Sequence, residues 1–315
     1  MSTDGRTPDL DAADAVLDLS VLAGRVVHGR PLGPLTTYRV GGRAARFVVI
    51  ESMLDLRAAV QAATAGALPV LVVGRGSNIL VAERGFAGLA IQLGAPFADL
   101  DVRGTMVRAG GAASLPVVAR RTASMGLTGF EWAVGVPGSI GGAVRMNAGG
   151  HGSDMAACLV DVRIVDLHGD GAVRQIPARE LGLSYRHSVL REDQVVVQAT
   201  LALAVCEPDD ALARVDEIVR WRREHQPGGQ NAGSVFTNPA GDSAGRLIDT
   251  AGCKGLRVGT AEVSTKHANF IQADEHGRAD DIHALMELVR ARVREVHGIE
   301  LVVETRLVGF DAAES

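Results

Sequence analysis

Aromatic residues make up only 3% of the 315-residue chain, and its three cysteines, Cys158, Cys206 and Cys253, show no C-x-x-C spacing. So few aromatics leave little for base-stacking platforms, and a formal net charge of −5 argues against a dedicated nucleic-acid binder. An odd, irregularly spaced cysteine set offers neither a disulfide framework nor a zinc motif, and it fits a reducing compartment. No apolar run approaches the roughly 20 residues that span a bilayer. The opening MSTDGRTPDLDAADAVLDL lacks the basic start and continuous apolar stretch of a signal peptide. Internal repeats and low-complexity tracts are also missing. The expectation is a soluble cytoplasmic protein with no metal, no membrane or nucleic-acid partner and no obligate protein partner.

With 47% hydrophobic and 22% charged residues, the chain has material for the cores of two ordinary domains. Residues 1–30 read as a loose tail with a short helix near Asp11–Leu22. Beyond them, strands are expected at Ala45–Ile50 and Pro69–Val73, with a helix between them capped by Ser52. A hairpin turns at Gly104-Thr105, and Ser114 heads a further helix. Strand-like runs follow at Val160–Leu167 and Val195–Val205, and Pro208 opens a charged helix to His225. Helices near Asp242–Ala251 and Asp280–Val296 and strands at Ala268–Ile271 and Ile299–Leu307 complete the pattern. Composition changes near Cys206–Asp210, dividing the chain into 31–206 and 207–315.

Two glycine-rich loops stand out. Val72–Leu80 (VVGRGSNIL) follows an apolar strand, and its Gly74, Arg75, Gly76, Ser77 and Asn78 present bare backbone N–H groups of the kind that cradle a diphosphate. The third glycine of a Rossmann G-x-G-x-x-G is missing, and no G-K-[ST] follows; a ligand-free strand exit accounts for this loop as readily. The second loop, Gly135-Val136-Pro137-Gly138-Ser139-Ile140-Gly141-Gly142, leads to Met146–Gly150, which includes Asn147. That much glycine permits positive φ and close backbone approach to a ligand. Two such loops suit a dinucleotide.

Ser234 lies in GGQNAGSVFTNP (Gly228–Pro239), where it suits a turn residue, nucleophile, phosphate ligand or proton donor. The nucleophile elbow G-x-S-x-G is missing. In Ile299–Val308, period-2 alternation puts Val302, Glu304, Arg306 and Val308 on one face; Glu304 then either faces solvent, pairs with Arg306, or is a buried functional carboxylate. Ser184–Ser188 sets Tyr185, Arg186 and His187 side by side, with Arg186 able to grip a carboxylate bidentately or to lie free on the surface. Trp221–Pro227 reads as a basic helix end complementing the helix dipole.

Six strings occur in the order found in UDP-N-acetylenolpyruvoylglucosamine reductases: LTTYRVGG (Leu35–Gly42), GRGSNIL (Gly74–Leu80), GVPGSIGG (Gly135–Gly142), SYRHS (Ser184–Ser188), AGSVFTNP (Ala232–Pro239) and KHANFI (Lys266–Ile271). The chain resembles this family from about Leu32 to Phe310. The resemblance implies an α+β fold: a two-subdomain FAD-binding domain of the vanillyl-alcohol-oxidase/PCMH type plus a C-terminal α+β substrate-binding domain. It implies noncovalent FAD held by the two loops (Gly74–Asn78; Gly135–Ser139, Gly142 and Asn147) and NADPH as reductant. Arg186, Ser234 and Glu304 fall on the family's catalytic positions, with Ser234 the proton donor. Tyr185, Asn238, Lys266 and His267 fall on substrate contacts. The short connection from Arg186 to the serine loop resembles the compact type II form.

Two positions depart from the family's pattern: Thr237 stands where lysine is common before Asn-Pro, and Thr260 where glycine is common after Val258-Gly259. The chemistry implied is hydride delivery from reduced flavin to an enolpyruvyl double bond, then protonation of the adjacent carbon. The glycine loops alone also suit an FAD-linked oxidase, which has no need of Ser234 or Glu304. A non-catalytic UDP-sugar-binding protein is a second alternative.

Overall fold

The structure is a computed structural model that describes Leu22 and residues 24–310. Its first layer comprises β1 (Val27–Pro31), β2 (Arg43–Ile50), α1 (Met53–Ala65), β3 (Val70–Val72), β4 (Ile79–Val81) and β5 (Phe86–Leu93). The sheet order is β1-β2-β5-β3; β1 runs antiparallel to β2, and the other pairs are parallel. Parallel neighbours need a crossover, which α1 supplies by packing Leu56, Ala59 and Val60 on Val48, Ile50, Leu89 and Ile91. β1 begins within the segment expected to be loose. Its His-Gly-Arg-Pro reads locally as a turn, but Pro31 is tolerated because β1 is an edge strand. The expected helix at Asp11–Leu22 lies outside the described residues apart from Leu22, which is buried.

Ser52 caps α1, its hydroxyl accepting from Asp55 N–H at 3.1 Å. The buried Asp55 carboxylate pairs with Arg25 at 2.5 and 2.7 Å and accepts from Glu51 N–H at 2.9 Å. Arg25 first, with Glu51 N–H and Ser52 assisting against burial, holds this carboxyl at about 2, below the usual aspartate range. A lowered folded-state value stabilises above the unfolded value and is lost as pH falls toward 2. With the exposed Arg25 screened by solvent, Asp55→Asn is expected to cost about 1–2 kcal/mol near neutral pH and progressively less below about pH 4, in denaturant titrations.

The second layer comprises β6 (Leu100–Arg103), β7 (Met106–Gly110), α2 (Leu115–Ser124), β8 (Leu127–Thr128), α3 (Ile140–Met146), β9 (Gly149–Gly150), β10 (Ser153–Asp154), β11 (Leu159–Asp166), β12 (Val173–Pro177), β13 (Gln194–Ala202), β14 (Ala204–Val205) and α4 (Pro208–His225). Five strands form an antiparallel sheet, β12-β11-β13-β7-β6. Helices α2, α3 and α4 cover it, with Leu115, Val118, Ile140, Val144, Ala211 and Val215 in one core with Val107, Val162 and Ala199.

The third part comprises α5 (Ala244–Thr250), β15 (Arg257–Val258), β16 (Ala261–Val263), β17 (Ile271–Ala273), α6 (Ala279–His297) and β18 (Arg306–Val308). Ile282, Leu285, Met286, Val289 and Val293 of α6 pack with Leu247, Ile248, Val263 and Ile271, and the N-terminal Tyr38, Val40 and Leu80 enter the same core. β18 returns to the first layer and pairs parallel with β4, Arg306 opposite Ile79. Thr260 has a structural role: its hydroxyl donates to Asp281 at 2.7 Å and accepts from Arg278 N–H at 2.8 Å, fixing the start of α6.

Two expected strands are corrected. The one at Ala268–Ile271 starts only at Ile271, because the Ser264 hydroxyl accepts from Lys266 N–H and His267 N–H and turns the chain just before it. The one at Ile299–Leu307 is confined to Arg306–Val308. Residues just before it pair instead with the serine loop: Thr237 N–H donates to Val302 O and Phe236 bridges Val303. Alternation does not survive this change of partner, and Val302 is 64% exposed while Val308 is 5% exposed.

Candidate active site

A cavity of about 280 Å³ is lined by Gly74–Ile79, Gly135–Ser139 and Gly142, and by Arg186, Ser234 and Glu304. Each wall has a local cause. After β3 the chain turns at Gly76, with φ +63° and no room for a side chain, because a Cβ there meets the Leu35 carbonyl. Thr37 N–H donates to Gly76 O at 3.0 Å, so the Leu35–Tyr38 segment braces the loop from behind. The second loop faces the first closely. A Cβ on Gly74 would lie 2.9 Å from the Ser139 hydroxyl, and one on Gly138 would lie 3.5 Å from that of Ser77. No backbone hydrogen bond among the described residues occupies the N–H groups of Arg75, Gly76, Ser77 or Asn78. A glycine-rich loop with unpaired N–H groups suits a diphosphate.

The other end of the cavity carries charge. Arg186 Nε donates to Glu304 Oε1 at 2.9 Å, and its Nη2 donates to Gly149 O at 3.0 Å. Arg186 sits at φ +55°, inside a tight turn closed by the reciprocal Ser184–His187 backbone bonds. Glu304 is held from two directions. Its N–H donates to Val235 O at 2.8 Å, and its carbonyl accepts from Asn78 Nδ2 at 3.0 Å. One residue's backbone thus ties the serine loop to the first glycine loop. Burial pushes the Glu304 carboxyl above the usual range, while Arg186 opposes the shift.

Several residues named from sequence stand behind or beside this cavity. Asn147, 1% exposed, closes α3 in a left-handed conformation, donates to Ser184 O at 2.8 Å and accepts from Ala156 N–H at 2.9 Å. It holds the Arg186 turn against α3 and is not among the lining residues. Tyr185 is exposed; its hydroxyl accepts from Asn238 N–H at 3.3 Å, and Asn238 Oδ1 accepts from Ala244 N–H at 3.0 Å. Lys266 Nζ donates to Arg223 O at 2.6 Å, at the end of α4. The His267 ring lies edge-on to Phe270, and burial lowers its pKa.

The sequence reading missed Arg145, Arg222, Gln226 and Arg306, which line the same cavity. Arg306 pairs with Glu192 at 2.8 Å, and Arg145 donates to Leu190 O. The half-buried Arg222 has no hydrogen-bond or ion-pair partner among the described residues, and burial lowers its pKa. Val215, Ile218, Val219 and Arg222 follow i, i+3, i+4, i+7 spacing, so the apolar face of α4 carries Arg222 inward. That spacing was available in the sequence.

A family model for an FAD binding domain matches residues 44–176, spanning both glycine loops, and one for the C-terminal domain of UDP-N-acetylenolpyruvoylglucosamine reductase matches residues 225–308. The reductase of that name from Rubrobacter xylanophilus is 43% identical over 89% of this chain and 94% of its own length. Its counterpart from Acidiphilium cryptum is 43% identical over 95% and 96%. The chain belongs to the UDP-N-acetylenolpyruvoylglucosamine reductase family. The reductase from Thermus caldophilus superposes with a TM-score of 0.78 at 36% identity, covering 90% of this chain and 98% of its own.

The unpaired N–H groups of the first loop and the close glycines of both loops fit the diphosphate of FAD. Gly76→Ala places a side chain against the Leu35 carbonyl at a φ that favours glycine. The variant is expected to purify with most of its flavin lost, read as flavin absorbance per polypeptide. Full flavin content at wild-type stability would contradict the assignment.

Proposed function

We propose that Arg186, Glu304 and Ser234 carry the family's reaction here: reduction of the enolpyruvyl group of UDP-N-acetylglucosamine enolpyruvate to UDP-N-acetylmuramate, a peptidoglycan precursor, with NADPH as reductant. The observation that carries this reading is that these three residues, from distant stretches of the chain, line the same cavity as the two glycine loops, with Arg186 and Glu304 paired. FAD held by Gly74–Asn78 and Gly135–Gly142 and reduced by NADPH would supply a hydride to the enol ether's terminal carbon. Negative charge then develops at the adjacent carbon and spreads into the substrate carboxylate.

Arg186 is the donor for that carboxylate. In the free enzyme it is engaged by Glu304, so substrate binding removes Glu304's cation and brings an anion beside it. Both changes favour the protonated acid, leaving Glu304 a neutral hydrogen-bond donor to the developing charge. Ser234 donates the proton to the carbanionic carbon, a base strong enough to accept from a hydroxyl. The direct test is turnover: NADPH consumption dependent on the enolpyruvyl sugar nucleotide, with the product identified by mass. Rapid oxygen consumption with a hydroxylated donor and no sugar-nucleotide reduction would point to the oxidase chemistry instead.

Arg222 is the anion-binding residue of this reading, because it is an unpartnered, half-buried cation on the cavity wall. Arg222→Gln is expected to raise KM for the sugar nucleotide about tenfold to a hundredfold, the loss of a charged hydrogen bond, with flavin content unchanged. Flavin loss would instead move Arg222 to the cofactor site. Tyr185, Asn238, Lys266 and His267 belong in this reading to the surrounding nucleotide-sugar surface. The proposed substrate-binding domain runs over residues 207–315, its first helix α4 packing into the core of the second layer. Among the described residues no helix is long and apolar enough to cross a membrane, and all three cysteines are free. The same reading takes the chain as a cytoplasmic enzyme acting on a small-molecule substrate, without a nucleic-acid or obligate protein partner.

A further inference from the structure

We propose that Asn269 is the positioning residue for Ser234, an inference that rests on the proton-donor reading above. Asn269 is 3% exposed. Its Nδ2 donates to Phe236 O at 2.8 Å, and its Oδ1 accepts from Phe236 N–H at 3.0 Å. Its own carbonyl accepts from Val235 N–H at 2.9 Å. The side-chain amide thus engages both polar groups of one peptide residue, as a paired strand does, and the main chain adds a bond one residue closer to the serine.

The opposite edge of the same segment is held by Glu304 N–H on Val235 O and by Thr237 N–H on Val302 O. Residues 235–237 are therefore clamped between Asn269 on one side and the 302–304 strand on the other. Ser234 precedes this clamp directly, after Gly233 at φ +78°. On its N-terminal side Gly233 N–H donates to Asn231 Oδ1 at 3.1 Å and Gln230 O accepts from Ala273 N–H at 2.9 Å, so the clamp on residues 235–237 is the support that adjoins the serine on its C-terminal side. Of its two jaws, the 302–304 side also carries the acid of the reaction, whereas the Asn269 side chain hydrogen-bonds only to backbone.

The reason an asparagine is needed is chemical. Phe236 is 1% exposed, so its N–H and C=O have no water to turn to, and only a side chain with one donor and one acceptor satisfies both. Leucine fills similar space but leaves both groups unpaired. Aspartate is isosteric, yet as a carboxylate it sets an acceptor against the Phe236 carbonyl. Serine retains at most one bond and adds no charge.

The test is stopped-flow on flavin-loaded Asn269→Leu and Asn269→Ser, each half-reaction measured separately. Flavin reduction by NADPH is expected within about twofold of wild type. Flavin reoxidation at saturating enolpyruvyl sugar nucleotide is expected to slow about a hundredfold in Asn269→Leu, the scale of a 1 Å misplacement of a reacting group, and by less in Asn269→Ser. Equal slowing of both half-reactions, or an effect confined to KM, would overturn the proposal by showing general loosening or weakened binding. If Asn269→Leu does not fold, Asn269→Ser decides alone, and reoxidation within about twofold of wild type overturns it. Ser234→Ala runs in parallel: normal reoxidation in that variant removes the proton-donor reading itself, whereas a block there with unaffected Asn269 variants removes only the positioning role.

Discussion

Ser234→Ala is expected to leave NADPH bleaching the flavin at the wild-type rate while the enolpyruvyl sugar nucleotide no longer restores its colour. The two outcomes separate because the proton donation proposed for the serine belongs only to the second half of the cycle. A positioned general acid contributes roughly 10²- to 10⁴-fold, so reoxidation is expected to fall by at least about a hundredfold. The structure argues against a trivial folding cause. The bonds that hold the loop run through Val235, Phe236 and Thr237 backbone and Asn269, and deleting one hydroxyl from Ser234 disturbs none of them. Stopped-flow traces of each half-reaction decide the matter. Reoxidation near the wild-type rate would assign the proton to water or to another side chain.

The parts of this site that were legible in the sequence are those in which the backbone itself is constrained. Gly76, at φ +63° against a neighbouring carbonyl, cannot be exchanged for another residue without strain, so such a position announces itself as glycine. The Ser52 cap and the hairpin at Gly104 were readable for the same kind of reason, as local chemistry with a local partner. Pairing between distant segments was not readable. Nothing in Ile299–Val308 says that its first half joins the serine loop and its last three residues join β4, yet that change of partner is what sets Glu304 beside Asn78. Asn269 and Asn147 were opaque for a related reason: each uses its side chain to satisfy another segment's backbone, which leaves no periodicity to detect. Arg222 falls between these cases, since the face of α4 carried the information and its charge concealed it.

Glu304→Ala is expected to lower kcat by about 10²- to 10³-fold, the usual loss for one preorganised donor to a developing anion, whereas Glu304→Gln is expected to lose less. The difference follows from protonation. Burial raises the carboxyl's pKa even with Arg186 at 2.9 Å, and the proposed transfer of Arg186 to the substrate carboxylate would raise it further. The acid is then the donating form, and a glutamine amide donates in its place. The sign of the pH dependence follows as well. In the wild-type enzyme the protonated form is lost as pH rises through the raised pKa, so kcat falls on the alkaline side. In Glu304→Gln that limb disappears, because the amide does not titrate. The measurement is kcat against pH for the three proteins at saturating sugar nucleotide, with flavin content matched. If Glu304→Gln falls as far as Glu304→Ala, the ionised carboxylate is the working form, and its task is to orient Arg186 rather than to donate.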